Sequence, residues 1–151
     1  MSDDSWKSDL EAFFSENQLE EDAKEKKAIE KKESAQKGVE EAAQFYQHVA
    51  KPAFEKIAIE LRKHGRHIQV NVTETSAHIR VEHGGRDELN LAVRSRGRLV
   101  YTIERVTQDG KSRTREGFID RAFGDTFENV SQDKLIEHTL SLFKDNARRL
   151  K

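Results

Sequence analysis

His64 and His67, and the nearby polar set of His78, Glu82, Thr102 and Glu104, are the first groups whose types and spacing suggest chemistry. An H-x-x-H spacing holds a metal when both imidazoles share one face and further ligands converge on it. Here Gly65 interrupts the element between the two histidines, and Arg62, Lys63 and Arg66 surround them with positive charge that repels a cation. The pair is read as part of a basic helix C-terminus, where cations complement the helix dipole, and no metal ligand set is assigned. His78, Glu82, Glu104 and Thr102 would serve as an acid–base group only if they met within hydrogen-bond reach of a substrate in a pocket. Alternating polarity assigns them instead to the solvated face of a sheet. The chain has no cysteine, which removes thiolate zinc sites, cysteine nucleophiles and disulfides. It is read as non-catalytic and without a cofactor.

The arginines carry a stronger signal. Arg80, Arg94, Arg96, Arg98, Arg105, Arg113 and Arg115 all fall on predicted strands or hairpin loops. Arg80, Arg94, Arg113 and Arg115 are expected to share the polar sheet face or its rim. A guanidinium offers a fork of donors that suits phosphate or carboxylate. Nucleic acid would exploit such a surface, and this is the alternative reading of the function. Against it, no stacking aromatics interleave the wet strand positions. Glu82, Glu104, Glu116 and Asp120 are also available to pair with the arginines across strands.

Three large aromatics occupy an otherwise acidic, polar stretch, Ser5 to Gln18. Trp6, Leu10, Phe13 and Phe14 fall at i, i+4, i+7 and i+8, so a helix capped by Ser5 or Asp4 places all four on one side. Such a helix either fills a gap in its own domain or docks into an apolar groove on another protein. The expected function is a protein-binding adaptor, inhibitor or assembly factor that uses these four residues as anchors. Arg80, Arg94, Arg96 and Arg98 form its secondary polar surface.

The elements that must position these groups follow from composition and periodicity. Apolar residues make up 34% of the 151-residue chain and charged residues 36%, against about 45–50% and about 25% in typical domains. The deficit is concentrated at residues 17–37, where Leu19 and Ile29 are the only large apolar side chains. That segment reads as a charged helical spacer, supported by Glu20 with Lys24 and Asp22 with Lys26. Net charge is −1 overall, yet residues 1–60 hold nine lysines, no arginine and fifteen acids, while all thirteen arginines lie in residues 61–151. No basic-then-apolar leader and no apolar run of about 18 residues is present, so a cytoplasmic protein without membrane contact is expected. The Asn71-Val72-Thr73 and Asn129-Val130-Ser131 sequons are then chance.

The expected organisation is a short interaction helix at 1–16, the spacer at 17–37, and an α+β domain at 38–151. In that domain Val39, Ala43, Tyr46, Ala50, Ala53, Ile57 and Leu61 step by four and three along a helix at 38–64. Pro52 should kink or divide it, and Gly65 should cap it. The stripe is read as core, with self-association into a homodimer or small symmetric oligomer as a second use. Residues 67–119 read as an antiparallel meander of four to five strands. Its inward sets are Ile68, Val70, Val72; Ala77, Ile79, Val81; Leu89, Leu91, Val93; and Leu99, Tyr101, Ile103. Turns are expected at Gly84-Gly85, Gly97 and Asp109-Gly110, and the charged strand from Lys111 is placed at an edge. Phe118, Ile119, Phe123 and Phe127 should seal one end of the core. A helix at 131–150, capped by Ser131, should face inward through Ile136, Leu140, Phe143, Ala147 and Leu150.

Overall fold

The computed structural model describes residues 5–108, 110–119 and 125–150, and the chain divides into two units, Met1–Lys37 and Gly38–Lys151. In the first unit the described residues are helical throughout. From Ser5 to Lys37 neither glycine nor proline occurs, so nothing breaks the backbone ladder. They belong to α1, Ser5–Phe45, which crosses the expected boundaries at 16–17 and 37–38 without interruption. Ser5 is itself helical, and Asp4 lies outside the described residues. The charges at Glu20, Lys24 and Lys26 close no ion pair among the described residues. Asp22 instead accepts from the Gln18 amide at 3.1 Å.

The second unit is α+β. Five antiparallel strands, β1 His67–Val72, β2 Ala77–His83, β3 Arg86–Arg96, β4 Leu99–Gln108 and β5 Lys111–Gly117, lie side by side in chain order. A sixth, β6 Asp125–Thr126, pairs with the start of β4 beyond the end of β5. Two residues give no alternation to detect, which is why the sequence suggests only four or five strands. At the β2–β3 turn both Gly84 (φ 62°) and Gly85 (φ 75°) are left-handed, the backbone that a tight two-residue hairpin demands. Asp109 of the expected Asp109-Gly110 turn lies outside the described residues, as do Asp120 and Phe123.

The end of α1, α2 (Lys51–Arg62) and α3 (Gln132–Arg149) bury Phe45, Tyr46, Phe54, Ile57 and Leu135 with Ile79, Val81, Leu91 and Val93 of the sheet. The α1–α2 junction is a π-helical turn, Tyr46–Ala50. Pro52 has no N–H, and its ring crowds the carbonyl four residues back. The chain widens there: the Lys51 N–H reaches the Tyr46 carbonyl, and the His48 carbonyl accepts from Gln132 Nε2 at 3.4 Å. Gln132 Oε1 in turn accepts from Lys56 Nζ at 2.8 Å. The extra residue in the wide turn also shifts the buried line. Upstream of it Ala42 and Phe45 are buried, whereas Val39 of the expected stripe is exposed. The rest of that stripe is interior to its own domain, not a free self-association surface. Downstream, α2 ends in a Schellman cap, with Gly65 at φ 78°, the Gly65 N–H on the Arg62 carbonyl at 3.1 Å and the Arg66 N–H on the Leu61 carbonyl at 3.3 Å.

Two inward faces differ from expectation. In β4 the buried residues are Val100, Thr102 and Glu104, while Leu99 is exposed and Tyr101 and Ile103 are half-buried. Directly paired residues share a face. Leu91 pairs with Glu104 and Val93 with Thr102, so the core side of β3 carries Thr102 and Glu104 inward. In α3, capped by Ser131 Oγ accepting from the Lys134 N–H at 3.2 Å, the buried line is Leu135, Thr139 and Asn146. Ile136, Leu140 and Phe143 flank it, half-buried. Both polar members are satisfied: Thr139 donates to the Leu135 carbonyl at 2.7 Å and Asn146 to Glu104 Oε2 at 3.0 Å. Of the expected end seal, Ile119 packs on the core and Phe127 stacks at 5.4 Å on Phe45, but Phe118 is exposed. Asp125 is fully buried, and its Oδ2 accepts from the Ile119 N–H at 2.9 Å.

The face assignment of β4 is directly testable. Val100→Gln should cost about 2–4 kcal/mol by burying an amide among apolar side chains, whereas Leu99→Gln should stay within about 0.5 kcal/mol. Urea unfolding of the two variants checks this, and the reverse ranking would restore the alternation read from the sequence.

Candidate functional site

On α1 the expected anchors Trp6, Leu10, Phe13 and Phe14 are 56%, 46%, 54% and 63% exposed. At helical spacing they span an arc of about 100°. Phe13 and Phe14 meet edge to face at 5.5 Å, and Lys7 Nζ lies 5.5 Å from the centre of the Trp6 ring. Beyond Phe14 the same side continues with Asn17 and Glu21, so the apolar patch is confined to two turns. Residues 1–22 hold one lysine and eight acids, so the apolar patch lies in an acidic setting.

The arginines do not form one surface. Arg80, Arg94, Arg96 and Arg105 lie on the sheet face away from the helices. Arg113 and Arg115 pair with Val106 and Glu104 on the helix-bearing face. Most are engaged. Arg80 Nε donates to Asp87 at 2.9 Å, Arg96 to Glu116 at 2.8 Å while lying over the Tyr101 ring at 4.6 Å, and Arg98 to Glu41 at 3.2 Å. Arg115 closes on the buried carboxylate of Glu104. Arg94, Arg105 and Arg113 have no carboxylate partner among the described residues.

The expected acid–base set is split by the sheet. His78 lies on the outer face, with Nε2 2.6 Å from Asn90 Oδ1, and Glu82 lies there too, 3.5 Å from Arg80. Thr102 and Glu104 point to the helices. Glu104 is 3% exposed, and its oxygens are taken by Arg115 and Asn146. Such a carboxylate organises the interior and is closed off from a substrate by its burial. His64 follows the end of α2 and His67 opens β1, both exposed. Among the described residues no group of three or more histidines and acids is placed to hold a metal ion.

Two features were not readable from the sequence. A cleft of about 570 Å³ runs between the β2–β3 and β4–β5 hairpins and the end of α3, lined by Arg80, Glu82, Arg86, Asp87 and Arg149. Arg86 donates to the Leu150 carbonyl at 3.2 Å and Arg149 to the Thr107 carbonyl at 3.3 Å, so these guanidinium groups tie the hairpins to the helix end. The second feature is His138, whose Nε2 is buried without a hydrogen-bond partner. Burial pushes its pKa below the ordinary value, against the opposing pull of Glu104 and Asp125. Both features exist only once α3 is packed against the sheet.

Compared with known proteins, the chain matches no family model, no curated protein and no solved structure. Among the described residues no helix is long and apolar enough to cross a membrane.

The depressed pKa of His138 sets a direction for pH dependence. Above the ordinary histidine value of 6.5 the ring is neutral in both states and stability is undiminished. As pH falls below it the unfolded chain takes up the proton first, so stability drops until the folded state also protonates. His138→Gln should flatten the slope of unfolding free energy against pH as pH falls below 6.5. An unchanged slope in urea titrations would show that His138 does not titrate anomalously.

Proposed function

We propose that this protein is a non-catalytic protein-binding adaptor, inhibitor or assembly factor that lays Trp6, Leu10, Phe13 and Phe14 into an apolar groove of a partner protein. The observation that carries this reading is the joint exposure of four large apolar side chains on one side of an acidic helix. Exposing them to water brings no benefit by itself, whereas burying a Trp and two Phe contributes several kcal/mol at about 25 cal/mol per Å². Aromatic anchors of this kind dominate interface energies. The acidic flanks favour a basic rim around the groove and speed encounter with it. Arg94 and Arg105 on the outer sheet face, with Arg80 and Arg96 beside them, supply a secondary polar surface.

The nucleic-acid reading has less support. Four of the seven arginines named for it, Arg80, Arg96, Arg98 and Arg115, are paired with carboxylates. Each pair would have to open to release a phosphate-binding fork.

The test is the double variant Trp6→Ala, Phe13→Ala in the full chain. Partner capture should be abolished while the thermal melt of the protein stays almost unchanged. Trp6 is the only tryptophan, so its emission should shift to the blue when the partner is added to the unaltered chain. A large loss of melting temperature, or capture equal to that of the unaltered protein, would sink this reading. Retardation of DNA or RNA that weakens steeply with salt would favour the alternative.

A further inference from the structure

The two outer strands of the sheet are built differently. β5 presents Lys111, Arg113, Arg115 and Glu116, all exposed, and charges of this kind discourage pairing with another chain. β1, His-Ile-Gln-Val-Asn-Val, carries no acid, lysine, arginine or proline, and its register with β2 has no bulge. Its free side can be read from the hydrogen-bond alternation. The Thr73 N–H donates to the Ser76 carbonyl at 2.9 Å, and hydrogen-bonded pairs recur at every second residue of an antiparallel ladder. His67, Gln69 and Asn71 therefore bond to β2, and Ile68, Val70 and Val72 turn their backbone groups outward. The Arg62 guanidinium agrees, since it reaches the Ile68 carbonyl at 3.3 Å from outside the sheet, a bond that an added strand must share or displace. Beside this edge the apolar cover is incomplete: Val70 and Val72 are half-buried, and Ile59, one turn before Arg62 on the same side of α2, is exposed.

We propose that the free edge of β1 is a self-association surface, to which β1 of a second copy adds antiparallel about a two-fold axis at Val70. This surface is independent of the α1 anchors. A two-fold at Val70 pairs Val70 with Val70 and Ile68 with Val72 of the second copy, all on the core side, and Gln69 with Asn71 on the wet side. No like charges meet. A two-fold at Gln69 would instead set Val72 against Arg66. The same operation on β5, about Thr114, would set Arg113 against Arg115 of the second copy, which disfavours that edge.

Charge complementarity selects a second copy over an unrelated strand. The register at Val70 brings Glu74 of each molecule opposite Arg66 of the other. Glu74 is exposed at the β1–β2 turn and has no cation partner among the described residues. It arrives at a cavity of about 290 Å³ whose lining includes Arg62, Arg66 and His67. Arg66 holds Glu88 at 2.9 Å, but Arg62 has no carboxylate partner among the described residues. Its remaining donors are available to the incoming acid.

Sedimentation equilibrium of the full chain tests this. The unaltered protein should dimerise. Gln69→Lys with Asn71→Lys, at two exposed positions that face each other across the axis, should weaken the dimer about tenfold or more. Gln69→Lys with Asn71→Glu should restore it, because each lysine then meets a glutamate. Should the double variants fail to fold, Val70→Cys in this cysteine-free chain should cross-link two copies on oxidation, since hydrogen-bonded antiparallel partners sit at about 5.5 Å, within disulfide reach. A monomer at every concentration, equal dimer strength in the two double variants, or no cross-link through the Val70 position would overturn the proposal.

Discussion

Residues paired directly across two strands must lie on the same side of the sheet, and most of what is particular to this fold follows from that constraint at one place. Because Leu91 and Val93 face the helices, their partners Glu104 and Thr102 must do so too. A carboxylate enters the interior, and an unpaired buried charge is costly. Arg115, the cross-strand neighbour of Glu104, and Asn146, from α3, satisfy it. The Glu104 carboxylate between β4 and α3 is thus satisfied, and α3 is positioned through Asn146 as well as through Leu135.

The same constraint distributes the arginines. A strand residue has no choice of side once its register is set, so Arg80, Arg94 and Arg96 go outward while Arg113 and Arg115 go toward the helices. Acids come with them at pairing distance: Asp87 and Glu82 for Arg80, Glu116 for Arg96, Glu41 for Arg98. The result is a surface of local pairs, which contributes little to stability per pair. It also lacks the long-range field of a single-sign patch.

The α+β class and the meander were legible because β2 and the middle of β3 alternate cleanly and Gly84-Gly85 marks the turn between them. β4 misled because Leu99, Tyr101 and Ile103 are the apolar alternates of that strand, yet apolarity is a weaker determinant than pairing with a neighbour already committed to the core. α3 misled for the opposite reason: Thr139 and Asn146 look like surface residues until their partners are known. The interruption at Pro52 was expected, but the stripe carried its four-and-three spacing upstream unchanged, and the widened turn shifted it by one residue. That Trp6, Leu10, Phe13 and Phe14 share one side of α1 was visible from spacing alone. The tie between Gln132 and the His48 carbonyl joins residues far apart in the chain and left no trace in local pattern.

Glu104 lies on a strand made before α3 in the order of synthesis, so the helix that encloses it always arrives later. Arg115 also precedes that helix in the chain, so until α3 closes, the greasy side of the sheet displays an open ion pair, and inward-pointing charges deter sticking to other exposed strands.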